Sequence, residues 1–268
     1  VAGHAVCDGG GVIDLSLMRA VTVDASARVA KVQGGALWRD VDAATQKHGL
    51  ATPGGLISDT GVAGLTLSGG IGWLRAQHGL AIDNLLGADV VTADGALIHT
   101  SADENPELLW ALQGGGGNFG VVVQFEFALH PIGPEVMFAA PIYLVEDGPE
   151  PIRAWRDFLA KHGDRVASLC EFSTAGGEDF PEEHCDVQQL FDTLMPAGDF
   201  RCYWKARYLT ELTDEMIDLA MANALAAPSD NSLSSLWNFG GATAAVAADA
   251  TAFGDRSMGW MYSLDSVW

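Results

Sequence analysis

The sequence predicts a mixed α and β chain in two domains, and three observations carry that expectation. Strand-like runs joined by short turns alternate with short helical stretches between residues 20 and 130. A proline-flanked turn at Pro131 to Pro134 then opens a second stretch with a β-α-β rhythm. Finally, 32 of the 268 residues are glycines, and many fall into clusters.

Val12 to Leu15 is a short apolar run suited to a buried strand. Ala20 to Val32 alternates about a turn at Asp24 to Ala27 and reads as a hairpin. Leu37 to His48 has helical spacing, with Leu37, Val41 and Ala44 on one face and Gly49 as its stop. Ala51 to Gly55 is a turn, and Thr60 to Gly72 has no clean period. Ala88 to Thr100 is a second hairpin around Asp94-Gly95. Asn105 to Gln113 is a short helix that Asn105 can cap, with Pro106 at its first position. Val121, Val123, Phe125, Phe127 and Leu129 alternate onto one strand face.

Beyond the boundary, Glu135 to Val145 is strand-like, Pro151 to His162 helical and Ala167 to Thr174 strand-like. Glu211 to Ala227 is an amphipathic helix with Leu212, Met216, Leu219, Ala220 and Ala224 as its apolar side. Asn223 sits at the edge of that stripe, and Pro228 ends the helix. The expected domains are 1–132 and 133–268. The acidic run Asp179 to His184 meets a helix-like start at Cys185, which raises the expectation of a missing segment at that junction. Further material is expected before Val1 and after Trp268.

Composition excludes several classes. The formal charge is −21, from 14 Lys and Arg against 35 Asp and Glu, so nucleic acid and anionic membrane surfaces are not expected partners. Salt adaptation is one reason for such an excess. With 49% hydrophobic residues a sizeable core is expected. Four cysteines, none in a CxxC pair, form no disulfide framework. A reducing, cytoplasmic setting is therefore the default over secretion. No run reaches about eighteen apolar residues, so no membrane-spanning helix is expected.

Conventional catalytic signatures are missing: there is no P-loop, no HExxH and no GxSxG, and the spacing Gly69-x-x-Gly72 is not a dinucleotide fingerprint, which would need a strand before it and a helix after. The seven histidines are scattered, so no metal site is expected. What remains is two glycine-rich stretches with short polar side chains: Ser58, Asp59, Thr60, Thr66, Ser68 and Asn118. Loops of this kind can hydrogen-bond a pyrophosphate and a polar heterocycle through backbone amides, without a basic residue.

The ordered set "CDGGGVIDLS", "ATPGG", "GVAGLTLSGGIGWL", "HGLAIDNL", "VVTADG" and "ELLWALQGGGGNFGVV" resembles the FAD-linked oxidases of the vanillyl-alcohol oxidase superfamily. It looks most like the bacterial relatives of berberine bridge enzyme. The likeness is close over residues 1 to about 130 and looser through "CYWKARYL" and "TAF". It implies an α+β fold: a two-subdomain PCMH-type FAD-binding domain, then a substrate domain with an antiparallel sheet backed by helices.

The resemblance implies that Gly55, Ile57, Ser58, Asp59, Thr60, Gly61, Gly64 and Leu65 line FAD, with backbone contacts from Gly120 and Val121. It implies a covalent histidyl link to the flavin through a histidine upstream of Val1; His4 does not match that position. Ile57 stands where bicovalent members have cysteine, so no cysteinyl link is expected. Ile71 replaces a frequent tyrosine. Thr60 occupies a position where a small β-branched residue goes with oxygen access.

The implied activity is hydride removal from an alcohol or amine carbon of a sugar or secondary metabolite, with O2 reduced to hydrogen peroxide. The alternatives are a dehydrogenase with poor O2 reactivity and a flavin-binding protein without catalysis. The candidate proton-transfer residues are Tyr203, Lys205 and Tyr208, followed by Glu171. Alternation puts Tyr203 and Lys205 on one strand face, where the lysine would favour a phenolate. His78 reads as a helix-end residue, Asp83 and Asn84 as turn formers, and Trp237 and Trp260 as core aromatics.

Overall fold

Valine and alanine at alternate positions, set against polar neighbours, make the first strands. In the computed structural model, which describes residues 6–133, 135–173, 202–254 and 256–267, β1 (Val21–Asp24) and β2 (Val29–Gln33) form the first predicted hairpin. The Asp24 carboxylate accepts from the Ser26 and Ala27 amides and closes the turn. The second hairpin is β4 (Leu85–Val91) with β5 (Leu97–Ser101), turning at Gly95, whose φ of +83° suits glycine. With β6 (Val121–Ala128) these strands form an antiparallel sheet in the order β1-β2-β6-β4-β5. A two-stranded pair, β3 (Leu50–Ala51) with β7 (His130–Pro131), lies apart from it.

Helices α1 (Trp38–Thr45), α2 (Val62–Leu67) and α4 (Pro106–Leu112) cover one face of that sheet, and α3 (Arg75–His78) follows α2 in the chain. The core joins Trp38, Val41, Val62, Leu67, Leu109 and Leu112 to Val32, Val90, Phe125 and Phe127. Trp38 is fully buried against Phe127, with ring centroids 5.9 Å apart.

The second sheet is antiparallel, in the order β8 (Leu169–Phe172), β10 (Leu233–Asn238), β11 (Trp260–Val267), β9 (Cys202–Leu209). Helices α5 (Glu150–His162) and α6 (Asp214–Leu225) back one face through Ile152, Trp155, Met216, Ile217 and Ala220. A single turn of helix, α7 (Ala242–Ala245), follows β10. The α+β architecture and the helix-backed antiparallel sheet agree with expectation.

Five local expectations change. Residues 12–15 are not a strand: Val12 and Ile13 are exposed. Residues 135–144 are likewise irregular, exposed chain that forms no strand, and Met137 is 99% exposed. Apolar alternation makes a strand only where a neighbour supplies hydrogen bonds. In β6 the register with β4 shifts between Asp89 and Val90, which skips Val123, so Val122 rather than Val123 is buried. Asn105 does not cap α4 with its side chain; its Nδ2 donates to His99 O at 2.7 Å. In α6 the buried stripe runs through Ile217 and Ala220, and Leu219 points outward at 48% exposure. Thr213 caps that helix, accepting from the Met216 amide, and Asn223 donates to the Tyr262 hydroxyl at 2.9 Å. The junction at His184 and Cys185 lies outside the described residues.

Side chains lock the two sheets together. Leu80, Ile82 and Ile71 from the first half pack with Trp237, Phe239, Phe253, Met258 and Met261 from the second. Arg256 donates to both oxygens of Asp83, at 2.7 and 3.0 Å, with only 2% of its surface exposed. Arg75 is wholly buried and meets no carboxylate; it donates to Gly72 O, Ser168 O, Asn238 O and Asn238 Oδ1. Its guanidinium also sits 5.6 Å from the Trp237 ring centre and 5.9 Å from that of Phe239. Burial pulls its pKa down to about 9, which leaves it charged at neutral pH. Among the described residues no helix is long and apolar enough to cross a membrane.

Candidate functional site

The loop from Thr52 to Gly61 is laid along the start of α1. The Trp38 and Arg39 amides donate to Thr60 O and Ser58 O at 3.0 and 3.1 Å, and Val62 N donates to Ala36 O. A Cβ on Gly54 would come within 2.4 Å of the Trp38 ring, and one on Gly55 within 2.9 Å. These two glycines let the loop lie flat on Trp38. Ser58 is buried, Ile57, Thr60 and Leu65 are half-buried, and Asp59 is exposed and ion-paired with Arg39.

Gly61 and Gly64 are different. Among the described residues nothing lies within 4 Å of where their Cβ would be, so the start of α2 presents bare backbone. Two hydroxyls on this stretch, those of Thr52 and Thr66, are buried without a hydrogen-bond partner among the described residues. Bare backbone beside orphaned buried hydroxyls fits a polar ligand laid along residues 52–66, as FAD would be.

The other predicted contacts are placed as follows. Gly116 N donates to Leu67 O, which brings the 114–117 turn beside α2. Gly120 and Val121 open β6; a Cβ on Gly120 would lie 2.6 Å from Val91 O, so strand packing already accounts for that glycine. Gly9 to Gly11 is exposed chain.

Part of the glycine signal has a different cause. Phe253 inserts between Gly69 and Gly114, where a Cβ would lie 2.4 Å from its ring and 2.5 Å from its backbone respectively. The glycines form a socket for a side chain from the second half. Two substitutions separate the roles. Gly69→Ala, at φ +121° and against Phe253, is expected to cost about 2–4 kcal/mol in urea unfolding. Gly64→Ala is expected to stabilise the flavin-free protein by roughly 0.5–1 kcal/mol, as a helical glycine replaced, while lowering flavin content. A purified Gly64→Ala protein with unchanged flavin content would remove that position from the site.

The second sheet contributes its open face. Residues directly paired across strands share a face. Tyr203 and Lys205 pair with Ser266 and Leu264, and Leu264 packs with the helices. Both predicted residues therefore lie on the helix-backed side, and Lys205 Nζ sits 5.5 Å over the Tyr203 ring rather than beside its hydroxyl. Tyr208 pairs with Met261 and lies on the opposite face, which meets the first half. Its ring packs edge-on against Phe239 at 5.8 Å and Phe253 at 6.3 Å. Burial raises its phenol above the usual range, only partly offset by Arg256, so at neutral pH it is a hydroxyl.

On the same open face, Glu171 pairs with Ser235 and Ser235 with Ser263. Ser263 donates to Asp265 at 2.6 Å, and the Trp237 indole donates to Ser235 at 2.8 Å. Glu171 is exposed by surface area, yet shielding by the sheet face, and then the charge of Asp265, push its carboxyl up; burial pushes Asp265 up as well, against the Ser263 hydrogen bond. Asp265, Ser235 and Ser263 had no signal in the sequence, because only strand pairing brings them to Glu171. Asp83 and Asn84 stabilise the turn before them, through Leu80 N and the His78 and Leu80 carbonyls, rather than the one that follows, and His78 does end a helix. Trp237 and Trp260 both pack as expected of core aromatics, Trp237 in the seam between the halves and Trp260 under the helices, edge-on to Trp155. Among the described residues no group of His, Cys, Asp or Glu is arranged to hold a metal.

The family described as FAD binding domain matches residues 1–101. The chain is 46% identical over 135 residues to the FAD-linked oxidoreductase pgmH of Aspergillus terreus, covering 49% of this chain and 27% of that protein. It is 44% identical over 137 residues to (R)-6-hydroxynicotine oxidase of Paenarthrobacter nicotinovorans, covering 51% and 30%. The FAD-linked oxidoreductase YgaK of Bacillus subtilis is 37% identical over 195 residues, covering 71% and 42%. The chain thus spans less than half the length of these relatives, which come from fungi as well as bacteria. Among solved structures, 6-hydroxy-D-nicotine oxidase of Arthrobacter nicotinovorans superposes with a TM-score of 0.81 at 26% identity, over 100% of this chain and 67% of that one. A berberine bridge enzyme variant shares the fold, with a TM-score of 0.80 at 20% identity over 96% and 61%. Residues 1–101 are thus an FAD binding domain, and the chain is similar to FAD-linked oxidoreductases and oxidases and has the fold of 6-hydroxy-D-nicotine oxidase and berberine bridge enzyme.

Proposed function

We propose that this chain is part of an FAD-dependent oxidase that removes hydride from an alcohol or amine carbon of a small molecule. The observation that carries the reading is the open face of the second sheet. Glu171, Asp265 and Tyr208 share the side that packs against the first half, whose 52–66 stretch fits FAD. When bound, FAD supplies the hydride acceptor and, once reduced, the electrons that turn O2 into hydrogen peroxide.

The residues divide the remaining work. The 55–65 loop holds the cofactor through backbone, with Thr52 and Thr66 as hydroxyl donors. Glu171 takes the proton from the substrate O–H or N–H, helped by the proton affinity that its surroundings and Asp265 give it. Tyr208, a neutral phenol, orients the donor atom by a hydrogen bond. Thr60, small and β-branched, supports access of oxygen. The flavin is held through a histidine upstream of Val1 and not through Ile57, and the chain works in the cytoplasm.

Oxygen uptake and peroxide release, measured on the full-length flavoprotein with a panel of amines, alcohols and sugars, test the reading. Peroxide formed in step with substrate supports an oxidase. Flavin reduction without oxygen uptake makes it a dehydrogenase, and a flavin reduced by none of the donors overturns catalysis altogether. Yellow colour kept in an acid pellet would support the covalent link; colour released to the supernatant would remove it.

A further inference from the structure

His78 ends α3 and His130 lies in β7, two elements that share no sheet or helix. Their rings stack with centroids 3.8 Å apart and planes 15° apart. Asn84, almost fully buried, sets the geometry. Its Nδ2 donates to His78 O at 2.8 Å and Leu80 O at 2.9 Å, which uses both amide hydrogens. Its Oδ1 therefore faces His130 Nε2 at 2.6 Å and can only accept. His130 thus keeps its proton on Nε2, and its Nδ1 is the nitrogen left to take another.

The place of the stack gives it reach. His130 pairs with Ala51, and from Ala51 the chain runs directly into Thr52-Pro53-Gly54-Gly55. The turn that follows His78 carries Asp83, which holds Arg256 of the second half. One ring is thus fixed to the root of the glycine loop and the other to the seam between the sheets.

We propose that the His78–His130 stack is a proton-sensitive latch: neutral, it clamps the β3–β7 pair to the 78–84 turn, and protonated, it releases the root of the 52–61 loop. The inference does not depend on what the loop binds.

The charges around the pair favour this behaviour. Arg28, in the β1–β2 turn, acts on His130, as does His78. Asp83 is committed to Arg256, and Arg75 on α3 to the Gly72 and Asn238 carbonyls. β3 carries only Leu50 and Ala51, and Lys47 and His48 before it are exposed. No carboxylate among these groups offsets a new positive charge. Burial holds both imidazoles below their ordinary value, and in His130 the neighbouring His78 and Arg28 hold it lower still. A proton on one ring also opposes a proton on the other. With native values depressed, the stability of the neutral pair is full above about pH 6.5 and is lost as pH falls below it.

Imidazole NMR and amide hydrogen exchange on the full chain, from pH 8 to pH 4.5, test the latch. His78 and His130 are expected to stay neutral below the ordinary imidazole range, and their charging should coincide with loss of protection at residues 50–55. His78→Phe keeps a ring to stack but no proton, so the opening midpoint should drop by about one pH unit. His48→Phe should leave it in place. Should His78→Phe not fold, Arg28→Gln serves: His130 would then charge at a higher pH, while opening shifts to a lower one. An unmoved midpoint in the variant that folds, or both rings charged with residues 50–55 still protected, overturns the proposal.

Discussion

Arg75→Met should destabilise the protein by about 4 kcal/mol, the largest stability loss expected of any single change here. A methionine fills similar volume and keeps apolar contact with Trp237 and Phe239. It donates nothing, so the carbonyls of Gly72, Ser168 and Asn238 lose a charged partner inside the seam. Charge-assisted hydrogen bonds contribute about 1.5–3 kcal/mol each, and a buried acceptor left bare costs about 1–3. At this chain length the loss corresponds to a Tm lower by roughly 10 °C. Arg75→Lys should recover less than half, because an ammonium cannot span acceptors that lie on a loop of the first half and on the second sheet. Urea unfolding of the three proteins measures the effect; a difference under about 1 kcal/mol would mean that the seam does not need this guanidinium.

Glu171→Gln should lower kcat/KM by about 10²–10⁴, the range expected when a general base is removed, with flavin content unchanged. The amide keeps the shape and accepts a hydrogen bond but takes no proton. The pH profile discriminates this from damage to packing. Wild type should lose rate as acid protonates Glu171, over a range shifted upward by shielding at the sheet face and by Asp265. Asp265→Asn removes the like charge, so the acid limb should move to lower pH while the plateau rate holds. If the plateau falls and the limb stays, Asp265 touches substrate and Glu171 is not the base.

Much of this was legible in the sequence because local rules and tertiary contacts agreed. Both hairpins of the first half, and helices α5 and α6, follow from alternation, turn residues and a 3.6-residue period. The 12–15 and 135–145 runs satisfy the same patterns and form no strand, since a pattern does not supply a pairing partner. The skipped residue at Val123 reverses the alternation of β6 for a reason that lies in β4. The glycine clusters were visible, but their division was not. Gly61 and Gly64 meet no close neighbour among the described residues, whereas Gly69 and Gly114 accommodate a phenylalanine more than a hundred residues away. Tyr203, Lys205 and Tyr208 stand out equally in "CYWKARYL"; only the pairing of β9 with β11 shows that Tyr208 alone turns towards the first half.

The Phe253 socket and the Arg256–Asp83 pair carry a consequence for the peptide between the halves. Residues 135–144 are irregular and lie open to solvent, while the attachment of one sheet to the other runs through interlocked side chains. Continuity of the chain there is then nearly dispensable. A protease that cuts near Met137 would leave a nicked molecule that still migrates as one particle. The two pieces, made as separate polypeptides in one cell, would find each other by the same lock, and new termini could be opened at this point for circular permutation.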